Sequence, residues 1–300
     1  MRKSTIKITK NVLLSLLFTI TSIGITLGQD SISGKKERKH LVKPAFESGY
    51  FIADQTVTIP HAKSLEFVIQ HDFGTIQNQW TDLGGLWGAS NIHLGLNFSI
   101  TNHLLVGIGT TKNKRIQNFQ LKYTFARQRE GGFPLTIAYY MNFDINCTNK
   151  STFGKDFTAT DRFSYFHEFM FARRFGKRIS LQLGLAYVHY NIVDSTMKDT
   201  HDNTSFKNDN INISGIGRLK VTPQTSIILS YSQPVLTYLN TTPWPNFGLG
   251  VEISTSTHCF QIFLTSAQGL VPQETVMYNN NNPYNGGILV GFNITRLWSF

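Results

Sequence analysis

Gly287-Ile288-Leu289-Val290-Gly291-Phe292-Asn293-Ile294-Thr295-Arg296-Leu297-Trp298-Ser299-Phe300 closes this chain of 300 residues. On a strand, successive side chains point to opposite faces, so Ile288, Val290, Phe292, Ile294, Trp298 and Phe300 share one face, and Gly291, Asn293, Thr295 and Ser299 share the other. One side of this strand is built for hydrocarbon and the other for polar surroundings. Arg296 lies on the apolar face, close enough to its end for the guanidinium to reach headgroups.

The same alternation recurs upstream. In Asn91-Ile92-His93-Leu94-Gly95-Leu96-Asn97-Phe98-Ser99-Ile100, five apolar residues face one way and Asn, His, Gly, Asn and Ser the other. Comparable segments lie near 65 to 73, 104 to 111, 116 to 125, 135 to 143, 162 to 173, 179 to 190, 210 to 221, 227 to 233, 246 to 254 and 259 to 266, giving about twelve strands in all. Short links at 101 to 103, 174 to 178, 222 to 226 and 255 to 258 alternate with long ones at 74 to 90, 144 to 161, 191 to 209, 234 to 245 and 267 to 286. Short inner turns and long outer loops are the habit of an all-β, antiparallel up-and-down transmembrane barrel. The links at 112 to 115 and 126 to 134 break that rhythm, being short for an outer loop and long for an inner turn. Aromatics such as Tyr123, Phe125, Tyr139, Phe143, Phe163, Phe171, Tyr187, Tyr231 and Phe247 fall towards strand ends on the apolar face, where a girdle belongs. A soluble β-sandwich would leave one apolar face on nearly every strand unexplained. A terminal Phe closing such a strand resembles the recognition segment of bacterial outer-membrane barrels, so Trp298 and Phe300 are read as the signal to the barrel assembly machinery.

The start of the chain agrees with export. Arg2, Lys3, Lys7 and Lys10 precede an apolar run from Val12 to Leu27 and the small-residue site at Thr26-Leu27-Gly28, the layout of a cleaved signal peptide over residues 1 to 28. Residues 29 to 63 are polar and basic and read as a periplasmic lead-in, with the barrel occupying 64 to 300. The formal net charge is +10, and removing the leader leaves +6, concentrated at Lys35-Lys36-Arg38-Lys39 and Arg173-Arg174-Lys177-Arg178. Without an accompanying base-reading constellation this excess does not indicate nucleic acid. Outer-membrane lipid and lipopolysaccharide headgroups account for it. The expected location is the bacterial outer membrane.

Ile69-Gln70-His71-Asp72-Phe73-Gly74, Leu105-Val106-Gly107-Ile108-Gly109, Ser180-Leu181-Gln182-Leu183, His189-Tyr190-Asn191-Ile192-Val193, His258-Cys259-Phe260-Gln261-Ile262 and Gly291-Phe292-Asn293-Ile294-Thr295-Arg296, in that order and together with Asn91-Ile92-His93-Leu94-Gly95-Leu96, resemble a family of Bacteroidota outer-membrane β-barrel proteins classed as a domain of unknown function. The resemblance covers most of residues 45 to 300. It implies location and architecture and transfers no catalytic residue. Asp72 departs from it, standing after the His where the family has Arg.

Counting from the apolar faces turns Glu66, Gln70, Asp72, His93, Lys122, Arg162, Glu168, Gln182, Arg218, Lys220 and Glu252 towards the lumen. Charges of both signs there either pair as a network plugging the barrel or line a hydrated path, because unpaired burial is costly. Hence two functional readings stand: a narrow channel or transport protein for small polar solutes, lined by Glu66, Asp72, His93, Lys122, Glu168, Arg218 and Glu252, or a closed structural barrel whose outer loops meet a partner. No metal or cofactor is expected, since His71, His93, His103, His167, His189, His201 and His258 show no compact ligand spacing. A barrel hydrolase built on Ser164, His167, Ser180 and His189 is a distant third, for no oxyanion-forming turn accompanies them. Cys147 and Cys259 belong to opposite ends of the barrel. The ~25 Å apolar band between them exceeds the reach of a disulfide.

Overall fold

The computed structural model describes residues 40–194, Met197 and 207–300, apart from the side chains of Asn78 and Gln79. The leader at 1 to 28, the basic cluster at 35 to 39 and His201 lie outside the described residues. Among the described residues two very short strands come first, β1 (Tyr50–Phe51) and β2 (Asp54–Gln55). Twelve more form a closed antiparallel barrel: β3 (Ser64–Thr75), β4 (Asn91–Ser99), β5 (Leu104–Thr111), β6 (Gln117–Ala126), β7 (Thr136–Ile145), β8 (Phe163–Phe175), β9 (Ile179–Tyr190), β10 (Asp209–Lys220), β11 (Thr225–Pro234), β12 (Asn246–Ser254), β13 (His258–Thr265) and β14 (Leu289–Ser299). Each pairs with its neighbours in sequence, and β14 closes on β3 with Phe292 opposite His71 and Trp298 opposite Leu65. Closure removes every sheet edge, the condition for a strand-built wall in lipid.

The outward face is apolar along nearly the whole wall. Leu94, Leu96 and Phe98 on β4, Leu181, Leu183 and Leu185 on β9, and Phe260, Ile262 and Leu264 on β13 are all exposed. A continuous apolar band of this kind has no place in water, and in a bilayer it is the lipid contact. His167 lies on this face, where its Nδ1 is 2.6 Å from the Tyr139 hydroxyl on the adjacent strand, so its polar edge is satisfied within the aromatic surface. Cys147 is exposed, Cys259 is buried, and both are free thiols.

Four findings revise the sequence reading. First, part of the stretch expected as a periplasmic lead-in lies inside the barrel: β1 and β2 make a hairpin, and Phe46, Phe51, Ile52 and Val57 in and around it are buried against the barrel wall. Its apolar side chains, a small group within a mostly polar segment, gather at one place once the chain turns. Second, the lumen is not uniformly polar. Ala138, Phe166, Met170, Ala172, Ala186, Val188, Ile216 and Ile228 face inward and pack with the hairpin in one core. Third, Arg162 is not on the lumen wall. It ends a short 3-10 turn in the outer loop after β7, donating to the carbonyls of Asn146 and Thr148. Fourth, the long inner turn at 127 to 135 carries a job of its own: Leu41 bridges Arg129, and the amides of Val42 and Glu130 donate to the carbonyls of Gln128 and His40, which guides the N-terminal segment to the barrel mouth.

Candidate functional site: the closed lumen

A hairpin inside a barrel cannot join the wall's hydrogen-bond ladder, because the wall's backbone groups are already paired with each other. Here side-chain amides take over. Gln182 accepts from Val57 N at 2.9 Å and donates to Gln55 O at 2.8 Å. Gln261 does the same on the other side, accepting from Ile52 N at 3.1 Å and donating to Tyr50 O at 3.0 Å. Asn293 adds a bond to Ile52 O at 2.8 Å. A carboxamide offers donor and acceptor at a spacing like that of the backbone, so each Gln stands in for a strand residue. Ile52, at the turn, has φ 55°, a costly conformation for a β-branched residue. Its buried side chain and these amide bonds hold it there.

The charged lumen residues are organised around the same hairpin. Lys122, 2% exposed, donates to Gly49 O and Gln55 Oε1, each at 3.1 Å, and its ammonium lies 5.5 Å from the Tyr140 ring. Glu66 accepts from Asn97 at 2.9 Å, and Glu168 accepts from Ser214 at 3.1 Å. Arg218 donates to Glu252 at 2.7 Å and to Glu47 at 2.9 Å, while Gln261 donates to the second oxygen of Glu252. Lys220, at the inner end, reaches Glu47 at 3.3 Å. Burial of Glu47 raises its carboxyl, but the charges of Arg218 and Lys220 outweigh this and hold it below its ordinary value. Burial also pushes Asp54 in the hairpin up to about 7. His93 Nε2 lies 3.0 Å from Asn118 Oδ1. Gly107 and Gly109, in a pattern that could suggest a phosphate loop, make room for these groups: a Cβ at Gly107 would collide with Asn97 and Gln120, and one at Gly109 with Asn118 and His93.

A second insertion covers the outer end. The loop after β13 carries α1 (Pro272–Met277), whose Gln273, Glu274, Thr275, Val276 and Met277 are all buried. Gln273 exchanges hydrogen bonds with Asn142 of β7, Asn246 of β12 donates to Thr275 O, and the Tyr238 hydroxyl meets Met277 Sδ. Lys114 pairs with Glu274 at 3.3 Å and rests 4.3 Å from the Tyr278 ring. Burial raises the Glu274 carboxyl above its ordinary value, with Lys114 opposing. Cavities among the described residues include one of about 350 Å³ at the inner end, beside Phe46 and Glu66, and two of about 640 and 340 Å³ at the outer end, beside Asp72 and Asp144 respectively. The hairpin stands between the inner space and the outer ones.

Of the lumen residues read from the sequence, Glu66, His93, Lys122, Glu168, Arg218 and Glu252 surround the hairpin, while Asp72 belongs to the outer cavity. Sequence reasoning missed Tyr50, Gln55, Asp144 and Glu274. The run Phe46 to Val57 held the available clue, an apolar cluster in a segment expected to face water. Ser164 is buried on the inner face while His167 is on the lipid face, and His189 pairs with Asp209 at 2.7 Å, so the hydrolase residues do not converge.

The model of the family described as a membrane bound beta barrel domain (DUF5777) matches residues 46–298. No curated protein matches the sequence. Among solved structures, the chain is similar to the NanC porin at 8% identity, with a TM-score of 0.49 over 79% of this chain and 99% of the porin. It is also similar to an outer membrane channel from Pseudomonas putida F1 (13% identity, TM-score 0.47, 80% and 97% covered) and to outer membrane phospholipase A from Escherichia coli (13%, 0.41, 78% and 90%).

Proposed function

The chain belongs to the membrane bound beta barrel domain family (DUF5777), and from that premise we propose that it is a bacterial outer-membrane protein and a narrow conduit for small polar solutes, closed at rest by its own N-terminal hairpin. One observation carries this reading. Cavities enter the barrel from both ends and stop at a hairpin whose backbone is clamped by the carboxamides of Gln182 and Gln261 rather than by a continuous sheet ladder. Displacing it would join the two ends through a passage bordered by Glu66, Lys122, Glu168, Arg218 and Glu252.

The reading is non-enzymatic. It includes lipopolysaccharide and outer-membrane lipid as surroundings, recognition of Trp298 and Phe300 by the barrel assembly machinery, removal of residues 1 to 28 on export, and the Bacteroidota source implied by the phrases quoted above. In a planar bilayer, replacing both Gln182 and Gln261 with Ala should make openings more frequent than in the native protein. A folded double variant that opens no more often contradicts the proposal.

A second reading, a permanently closed barrel that presents its outer loops to a partner, draws on a different observation. Phe46, Phe51, Ile52 and Val57 are buried in an apolar patch of the wall, each such burial worth about 1.5–3 kcal/mol, while Trp80, Trp87 and Tyr284 stand exposed on outer loops. Silence of the double variant would favour it.

A further inference from the structure

The larger outer cavity is lined by an acidic and a basic side chain that do not satisfy each other. Asp72 lines it, is 5% exposed, and its carboxylate makes no hydrogen bond or ion pair among the described residues. Lys112 also lines it, and its ammonium has a single neutral partner, the carbonyl of Ser90 at 3.1 Å. The other charges nearby are engaged: Lys114 with Glu274 and the Tyr278 ring, Asp82 with the amide of Gly85. A buried carboxylate left without a partner is expensive, and a lysine placed in the same cavity yet outside pairing distance does not repay it.

We propose that this cavity binds a small zwitterion, a free amino acid or short peptide, whose ammonium meets Asp72 and whose carboxylate meets Lys112. The cavity, about 640 Å³, falls within the size of small-molecule sites. Asn91, Asn113, Gln268 and Asn281 line it as well; Asn91 Oδ1, Asn113 Nδ2 and Gln268 Oε1 are already engaged, which leaves Asn91 Nδ2, Asn113 Oδ1, Gln268 Nε2 and the Asn281 carboxamide for a peptide bond between the two charged ends. An acid would leave Asp72 repelled, and a simple amine would leave Lys112 unmatched, so a solute carrying both signs uses the site fully. Among the described residues no three acidic, His or Cys groups converge as a metal ion would require, which favours an ammonium for Asp72.

The inference rests on the outer end being the entrance of the proposed conduit, but its test reads binding at equilibrium and not conduction. The full-length protein, folded in detergent as judged by heat-modifiable migration, is titrated calorimetrically with the dipeptide Ala-Ala, with N-acetyl-Ala-Ala, which lacks the ammonium, and with Ala-Ala amide, which lacks the carboxylate. Each blocked form should bind at least about tenfold more weakly, the loss expected for one charge-assisted hydrogen bond. Asp72→Asn should weaken Ala-Ala by a similar factor while leaving the acetylated probe unchanged. Lys112→Gln, at an exposed position, should do the same with respect to the amide. Failure of the native protein to bind Ala-Ala at millimolar concentration overturns the proposal, as does equal binding of all three probes or indifference to both substitutions. A protein that binds Ala-Ala as described but never conducts would uphold this site while refuting the conduit.

Discussion

Replacing Arg218 with Met probes the charge network that ties the hairpin to the wall. The guanidinium is 2% exposed and joins Glu252, itself fully buried, to Glu47 of the N-terminal segment at 2.7 and 2.9 Å. Methionine keeps much of the stem volume, so the loss is chiefly electrostatic. Glu252 is left buried with the Gln261 amide but without its cation, and Glu47 keeps Lys220 at 3.3 Å. Breaking a buried pair by removing one partner costs about 3–5 kcal/mol, because a charge is stranded in a poor solvent. Removing both partners spares that penalty. Reversible urea unfolding in lipid vesicles should therefore show Arg218→Met destabilised by about 3–5 kcal/mol, and Arg218→Met with Glu252→Met within about 1–2 kcal/mol of native. A single variant losing less than about 1 kcal/mol, or a double variant losing the sum of the two singles, would refute the claim that Arg218 acts through Glu252.

Three further outcomes follow from the same geometry. Leu183→Arg, near the middle of β9 on the lipid face, should cost about 2–4 kcal/mol in the same vesicles, and a cost near zero would mean that face is not in hydrocarbon. Replacing Trp298 and Phe300 with Asp should block assembly, read as loss of the heat-modifiable band from outer-membrane fractions; normal levels would show that the end of β14 is not what the assembly machinery reads. The Glu47 carboxyl is held below its ordinary value in the folded protein, so its contribution is complete above the unfolded value near 4.5 and is lost as pH falls through the lower folded value. Unfolding of native protein should thus ease on acidification below pH ~4.5 more steeply than unfolding of Glu47→Gln, and parallel pH profiles would contradict the Arg218 and Lys220 contacts.

Architecture was legible because lipid imposes a simple rule on each strand. The alternation in Asn91 to Ile100 and in Leu289 to Ser299 reports the solvent on each face directly, and inner turns such as 101 to 103 are too short to do anything but reverse the chain. The hairpin escaped because it obeys no such rule. Its two strands are two residues each, shorter than any periodicity can register, and its partners Gln182 and Gln261 lie far along the chain, 125 residues beyond Val57 and 209 beyond Ile52. The apolar lumen residues Phe166, Met170 and Val188 carried the missing signal: β8 and β9 are apolar on both faces there, and a wall that is apolar inward has something apolar to cover. Glu274 was hidden differently, since an acidic residue in a polar loop gives no sign that the loop folds inward.

The most direct test of a conduit closed by the hairpin is to remove the hairpin. A variant lacking residues 45–59, shown to be folded by heat-modifiable migration, should give steady conductance steps in a planar bilayer where the native protein is mostly closed. Adding Glu168→Gln and Arg218→Gln should change the ion selectivity of those steps, since both side chains would then border the open passage. A folded, hairpin-deleted barrel that remains silent would contradict the account.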